Sequence, residues 1–200
     1  MNVESWNRQI EVSRRQKDPF SAGHPQSPIP FHDRAKFTGL SCYPPDPDYR
    51  FELPLHERDD KPVSRLQDAA GQERSLIRWG EFRFKIKGEF CSLHAYRNEV
   101  AEARLFIPFR HRTSGDETYR AGCYLDLEPE AGLTEDGLWI VNLNAACSPW
   151  RAYSERFVCP FVPSENWLSV PARAVEAGAN RGVTADLEER LKAAEEGKNV

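Results

Sequence analysis

The sequence lacks the long apolar run that a membrane helix requires. A bilayer-spanning helix needs about 18 or more consecutive apolar residues, and the 200-residue chain contains no such run. The first residues, MNVESWNRQIEVSRRQKD, also lack the apolar core of a secretory signal. These absences argue against a helical membrane protein and predict a cytoplasmic protein with no membrane partner.

The cysteines show no pairing pattern. The five cysteines are Cys42, Cys91, Cys123, Cys147 and Cys159. Their odd number, their wide spacing and the lack of a CxxC motif are typical of reduced thiols rather than of a disulfide framework. We therefore expect free thiols, which agrees with a cytoplasmic location.

Motifs for metal binding, cofactor binding and nucleophilic catalysis are missing as well. None of the five histidines lies in an HExxH motif, and the chain has no GxSxG, P-loop or GxGxxG sequence. Ligands that are distant in sequence can still meet in a folded chain. The spacings themselves nevertheless predict no metal and no cofactor.

The charge balance gives no support for nucleic-acid binding. The formal net charge is −4 and the pI is near 5.8. Basic and aromatic residues do interleave in the segment 82–87, FRFKIK, but their alternation would place them on opposite faces of a strand. Single-strand binding platforms need both kinds of residue on one surface. We therefore expect a solvated sheet face and no nucleic-acid partner.

Short strands dominate the pattern. The alternation in 82–87 and the return over 90–96 predict an antiparallel hairpin. Further strand-like runs lie at 49–55, 63–67, 75–79, 105–109, 122–127 and 138–145. Since no long helical pattern separates them, the chain is predicted to be mainly β, folded as an antiparallel β-barrel or sandwich.

Helical patterns occur near the two ends. Apolar residues at helical spacing predict a short helix over about residues 3–17 and another over about residues 185–196. The expected organisation is an N-terminal helix packed on the domain (1–20), a β-rich domain (21–178) and a charged helical tail (179–200). We expect the tail to be dispensable for folding.

The loop 110–119 is the predicted ligand site. It concentrates hydroxyl and acidic side chains around Gly115, which permits a tight turn, and the mouths of β-barrels commonly bind ligands. The predicted pocket residues are Thr113, Ser114, Glu117, Thr118, Tyr119, Asp126 and Asn144. The alternative is that these polar groups only satisfy backbone groups of their own loop.

Three functions are compatible with this loop. The favoured hypothesis is a small-ligand-binding or regulatory β-barrel domain. The second is a hydrolase or isomerase in which His111 works with Asp116 or Glu117 as acid and base. The third is a protein–protein interaction domain without a pocket. The sequence favours binding over catalysis and leaves the ligand and the oligomeric state open.

Several motifs, in order along the chain, resemble a family of unknown function, DUF1684. They are SPIPxxxRAxFxGL from Ser27, DPDYRF from Asp46, TSGDETY from Thr113, YLDL from Tyr124, the Asn142-x-Asn144 strand, AYS from Ala152 and CPFVPSENWL from Cys159. The resemblance covers about residues 6–178. It implies a compact β-rich domain with no assigned activity, so no catalytic residue is carried over.

The chain also departs from the pattern of that family. His111 stands where Asp is common, Cys123 where Arg is common, Cys147-Ser148 where a Tyr-Asn pair is common, and Arg151 where a Cys is common. A clip between Cys159 and a neighbouring cysteine would therefore be absent here. Any reaction of the family that uses the Asp and the Arg would likewise be absent from this chain.

Overall fold

The computed structural model describes residues 2–68 and 70–177. The helices are α1 (Val3–Arg15), α2 (Asp18–Gly23) and α3 (Pro129–Gly132). The strands are β1 (Arg50–Leu53), β2 (His56–Glu57), β3 (Val63–Gln67), β4 (Glu73–Ile86), β5 (Glu89–Arg97), β6 (Leu105–Phe109), β7 (Cys123–Leu127) and β8 (Trp139–Asn142). Short 3-10 helices lie at Phe31–Lys36, Pro47–Tyr49, Leu143–Ala145, Trp150–Ala152 and Ser164–Asn166. The predicted tail 179–200 lies outside the described residues.

The β4–β5 hairpin confirms the predicted alternation. Phe82, Phe84 and Ile86 are buried in the core, whereas Arg83 and Lys85 are exposed. Lys87 and Gly88 form the two-residue turn, and both have positive φ angles, as hairpin turns of this length require. The mainly β, antiparallel prediction is therefore correct for the described residues.

Strand β4 is longer than the sequence pattern suggested. It runs without a break through Gly80, because a β-bulge between Arg78 and Gly80 absorbs the shift in its register with β5. A Cβ atom on Gly80 would lie 2.7 Å from the carbonyl oxygen of His56. The absence of a side chain at Gly80 therefore lets β2 pair with β4 here.

The strands form two antiparallel sheets that share one core. The larger sheet has the order β2-β4-β5-β6-β7, with β3 also paired to β4, and the smaller sheet pairs β1 with β8. Phe51 of β1 packs on Phe84 of β4 with ring centroids 4.7 Å apart. Within the described chain the strands form no closed barrel, because β2 has only two residues and β7 continues only into an isolated bridge from Tyr124 to Cys147. The barrel alternative, and the barrel mouth assumed for the predicted site, are therefore wrong.

The N-terminal helix is shorter than predicted and is followed by a second helix. Asn2 caps α1 by accepting a hydrogen bond from the backbone N–H of Ser5 at 3.0 Å. The helix ends at Arg15, and Pro19 lies in the first turn of α2. Proline is tolerated there because the first N–H groups of a helix have no partner within the helix.

Arg14 ties α1 to the rest of the fold. Its guanidinium group donates hydrogen bonds to the backbone oxygens of Tyr43 at 2.6 Å, Asn144 at 2.9 Å and Ala174 at 2.7 Å. One side chain thereby joins the helix to three segments that are distant in sequence. Among the described helices, none has the length and apolar character needed to cross a membrane.

Candidate functional site

The loop 110–119 is held together by a buried histidine. The ring nitrogens of His111 lie 3.2 Å from Thr113 Oγ1 and 3.1 Å from Thr118 Oγ1. The backbone N–H of His111 donates to Ser114 Oγ at 3.1 Å. Burial lowers the pKa of His111 to about 4, so the ring is neutral at pH 7. Thr113, Ser114 and Thr118 are thus brought together, as predicted, and they bond to His111.

Glu117 links this loop to two distant segments. Its carboxylate accepts hydrogen bonds from Tyr43 Oη at 2.7 Å and from Arg173 Nε at 2.7 Å. Hydrogen bonds from Arg173 and Tyr43 lower the pKa of Glu117 to about 2. The oxygens of the proposed acid–base partner of His111 are therefore already engaged.

The remaining predicted residues lie apart from this network. Tyr119 is buried against Ile29 and Tyr153, and Asp116 is exposed. Asn144 is also buried, and it exchanges two hydrogen bonds of 2.8 Å with the backbone of Asp46. Asp126 lies on the outer face of β7, where it lines a surface groove away from the loop 110–119.

That groove, which we call the β6–β7 groove, has a volume of about 450 Å³. Its floor is the outer face of the sheet, with Phe106 of β6 and Tyr124 of β7 in edge-to-face contact at 4.9 Å between ring centroids. The segment 147–160, which begins beside β7 at the bridge from Tyr124 to Cys147, lines the rest of the groove. In this segment Trp150 and Phe157 make a similar contact at 5.1 Å. Two aromatic pairs thus line a concave space of the size that suits a small organic molecule.

Charged residues lie at the rim of the groove. Arg104 Nη1 lies 3.4 Å from Asp126 Oδ1. Arg74 Nε lies 3.4 Å from the buried carboxylate of Asp68, and Arg74 also donates to the carbonyl oxygen of Val158 at 2.9 Å. Both arginines line the groove and help to hold its walls in place.

A buried carboxylate supports the wall from behind. Glu176 is 3% exposed and accepts hydrogen bonds from the backbone N–H of Ser148, at 3.2 Å, and from the hydroxyl of Tyr153. Burial raises the pKa of Glu176. The hydroxyl of Ser148 lies beside this carboxylate but has no hydrogen bond of normal geometry within the described residues. Ser148 is itself only 3% exposed, so its hydroxyl and this carboxylate form a buried support behind the wall of the groove.

The sequence analysis missed most of this groove. Asp126 is the only residue of the predicted pocket that lines it. One signal was present: Phe106 and Tyr124 alternate with the buried residues Ile107 and Leu125, which places two aromatic rings on the outer face of the sheet. The segment 147–160 carried no comparable signal, because it has no regular periodicity.

The fold and its sites define a mainly β, antiparallel domain with an open groove. The chain belongs to the family described as "Protein of unknown function (DUF1684)", whose model matches residues 35–180. It is similar to an uncharacterised protein of Haloarcula marismortui that was solved by solution NMR. The two share 36% sequence identity and a TM-score of 0.68, over 88% of this chain and 96% of the other. No curated protein matches the chain.

Proposed function

We propose that this protein binds a small organic molecule in the β6–β7 groove. The observation that carries the proposal is the concave space of about 450 Å³ that two aromatic pairs line. Ligand sites are commonly clefts of roughly 300–1,000 Å³ with apolar walls and a few polar groups. The charged residues at the rim supply such polar groups.

The groove has more support as a ligand site than the loop 110–119. In the loop, the His111 ring is engaged by Thr113 and Thr118, and the Glu117 carboxylate is engaged by Tyr43 and Arg173. A ligand would have to replace those bonds. The same contacts give the acid–base hypothesis less support than binding, because both groups that would exchange protons are already hydrogen-bonded to other side chains.

We also propose that the protein works in the cytoplasm. All five cysteines are free thiols, which is the state that a reducing compartment maintains. Three of them are only partly buried, namely Cys42, Cys147 and Cys159, so an oxidising compartment would leave them open to modification.

A fragment screen tests binding in the groove. A library of ring-containing fragments would be titrated into ¹⁵N-labelled protein, with amide shifts as the readout. We expect fragments that shift the amides of Tyr124, Cys147 and Ser148 in the groove. If no fragment shifts these amides, or if every hit maps to the loop 110–119, the proposal is wrong.

Two exposed tryptophans provide a matched pair of variants. Trp150 lines the groove and is 46% exposed, while Trp167 lies outside it and is 55% exposed. Trp150→Ala should weaken binding of a groove fragment by at least about fivefold, since an aromatic contact contributes about 1 kcal/mol beyond the burial of its surface. Trp167→Ala should leave the affinity within about twofold, because a solitary surface substitution has little effect elsewhere. Equal losses in both variants would contradict the proposed site.

A further inference from the structure

One end of the β6–β7 groove carries more carboxylates than cations. The guanidinium group of Arg104 lies 3.0 Å from a carboxylate oxygen of Glu102, 3.4 Å from Asp126 and 3.9 Å from Glu128. Three acidic side chains therefore share one arginine, and Lys17 is the next cation that acts on Asp126. An anionic ligand that approached Arg104 would meet these carboxylates as well, so this end of the groove disfavours an anion.

Asp126 is the member of this set that faces the groove. Its side chain is 45% exposed, and its contact with Arg104, at 3.4 Å, is longer than that of Glu102. Burial raises the pKa of Asp126; Arg104 opposes this effect and Glu102 adds to it. The carboxylate therefore has acceptor capacity that the protein does not use, and a further positive charge would stabilise its ionised form.

The arginine at the other end does not offer a free anion site. Arg74 is paired with Asp68, whose carboxylate is almost completely buried and also accepts hydrogen bonds from the backbone N–H groups of Ala70 and Gln72. Arg74 further donates to the carbonyl oxygen of Val158 at 2.9 Å. Its positive charge is therefore compensated within the protein.

The walls of the groove also suit a cation. The faces of aromatic rings carry partial negative charge and attract ammonium and guanidinium groups. Phe157, which lines the groove, already has the guanidinium carbon of Arg156 at 4.7 Å from its ring centroid.

We infer that the ligand of the β6–β7 groove is an organic cation, in which an ammonium group on an aromatic or aliphatic body is bound by Asp126 and by the aromatic walls. This inference rests on the proposed function and names its ligand class. The apolar body would lie against the Phe106–Tyr124 pair and the Trp150–Phe157 pair. The ammonium group would lie at the end where Arg104 is outnumbered by carboxylates.

Three probes with the same phenyl body but different charge test this inference. They are 2-phenylethylamine, 2-phenylethanol and 3-phenylpropionate, titrated separately into the full chain at pH 7.5 with the amide shifts of Tyr124 and Ser148 as the readout. We expect the amine to bind at least about tenfold more tightly than the carboxylate, with the alcohol between them. The advantage of the amine should shrink in high salt, because screening weakens interactions between charges near the surface.

Asp126→Asn is the decisive variant. It should bring the affinity for the amine to within about threefold of that for the alcohol when both are measured on this variant. Asp136→Asn is the matched control, since Asp136 is exposed and lies outside the groove. Melting curves of both variants would establish that they are folded.

The outcomes separate this inference from the proposed function. If the alcohol binds and the carboxylate binds as tightly as the amine, the groove is a ligand site but the ligand is not a cation. If Asp126→Asn leaves the preference for the amine intact, Asp126 does not bind the ammonium group and the inference is wrong. If none of the probes shifts the groove amides, both proposals fail together.

Discussion

The side-chain amide of Asn166 pairs with the backbone of His94 in both directions. Asn166 Oδ1 accepts from the backbone N–H of His94 at 2.7 Å, and Asn166 Nδ2 donates to the His94 carbonyl oxygen at 2.9 Å. The same Nδ2 also donates to the carbonyl oxygen of Pro108 at 2.7 Å. Strands β5 and β6 pair directly only at Tyr96 and Phe106, so Asn166 serves as a bridge where their backbones separate.

Replacing Asn166 should therefore destabilise the whole domain. Asn166 is completely buried, and Asn166→Ala would leave several backbone groups without partners, at about 1–3 kcal/mol for each unsatisfied group. We expect the free energy of unfolding, measured with urea, to fall by about 3 kcal/mol or more. Gln26→Ala, the control, removes an exposed side-chain amide and should change the free energy of unfolding little. A loss below about 1 kcal/mol for Asn166→Ala would contradict the bridging role.

His111 should make stability depend on pH. Burial lowers its folded-state pKa to about 4, below the ordinary value of 6.5. Because the unfolded state then binds the proton more readily, this contribution is fully present above pH 6.5 and is lost as the pH falls toward 4. The wild type should lose up to about 3 kcal/mol through His111 over that range.

The comparison with a His111 variant isolates this effect. His111→Asn should be less stable than the wild type at pH 7.5, and the difference between the two should narrow as the pH falls to 4. Burial also lowers the pKa of His94. Its effect on stability is the same in the wild type and the variant, so it cancels when their free energies of unfolding are subtracted. His32→Asn, at an exposed position, should follow the wild-type profile. A constant gap between the wild type and His111→Asn would show that His111 does not titrate in this way.

All five cysteines should titrate as thiols. They are free in the structure, and burial raises the pKa of each, to about 11 for Cys42 and Cys147. Since the thiolate is the reactive form, the native protein should react slowly with a disulfide reagent at pH 8. The denatured protein, prepared without reductant, should react at all five sites. Finding only three reactive thiols would reveal a disulfide and would argue against the cytoplasm.

Truncation should show where the folded domain ends. Ala174, Val175 and Glu176 are buried, and Glu176 supports the wall at Ser148. A chain that ends at residue 179 keeps these contacts and should melt within a few degrees of the full chain. A chain that ends at residue 173 loses them and should be insoluble or largely unfolded. If ending the chain at residue 179 lowered the melting temperature strongly, the segment beyond it would contribute to stability.

Local patterns in the sequence determined the fold class, the hairpin of β4 and β5, and the family. Alternating residues such as Phe82 and Arg83 take opposite faces of a strand whatever the rest of the chain does, so their burial could be predicted directly. The position of the β-bulge could not be predicted in this way, because the continuity of β4 through Gly80 depends on the approach of His56 from another segment.

The candidate site was decided by tertiary structure. The sequence located a polar loop with Thr113, Thr118 and Glu117, but Arg173, which binds Glu117, lies 56 positions further along the chain. The groove likewise needs Tyr124 of β7 and Trp150 of the segment 147–160 to line the same space. Alternation sets the direction of a side chain on its own strand. Long-range packing decides which segment covers that face of the strand. It also sets the distance between that segment and the strand, and short sequence patterns encode neither.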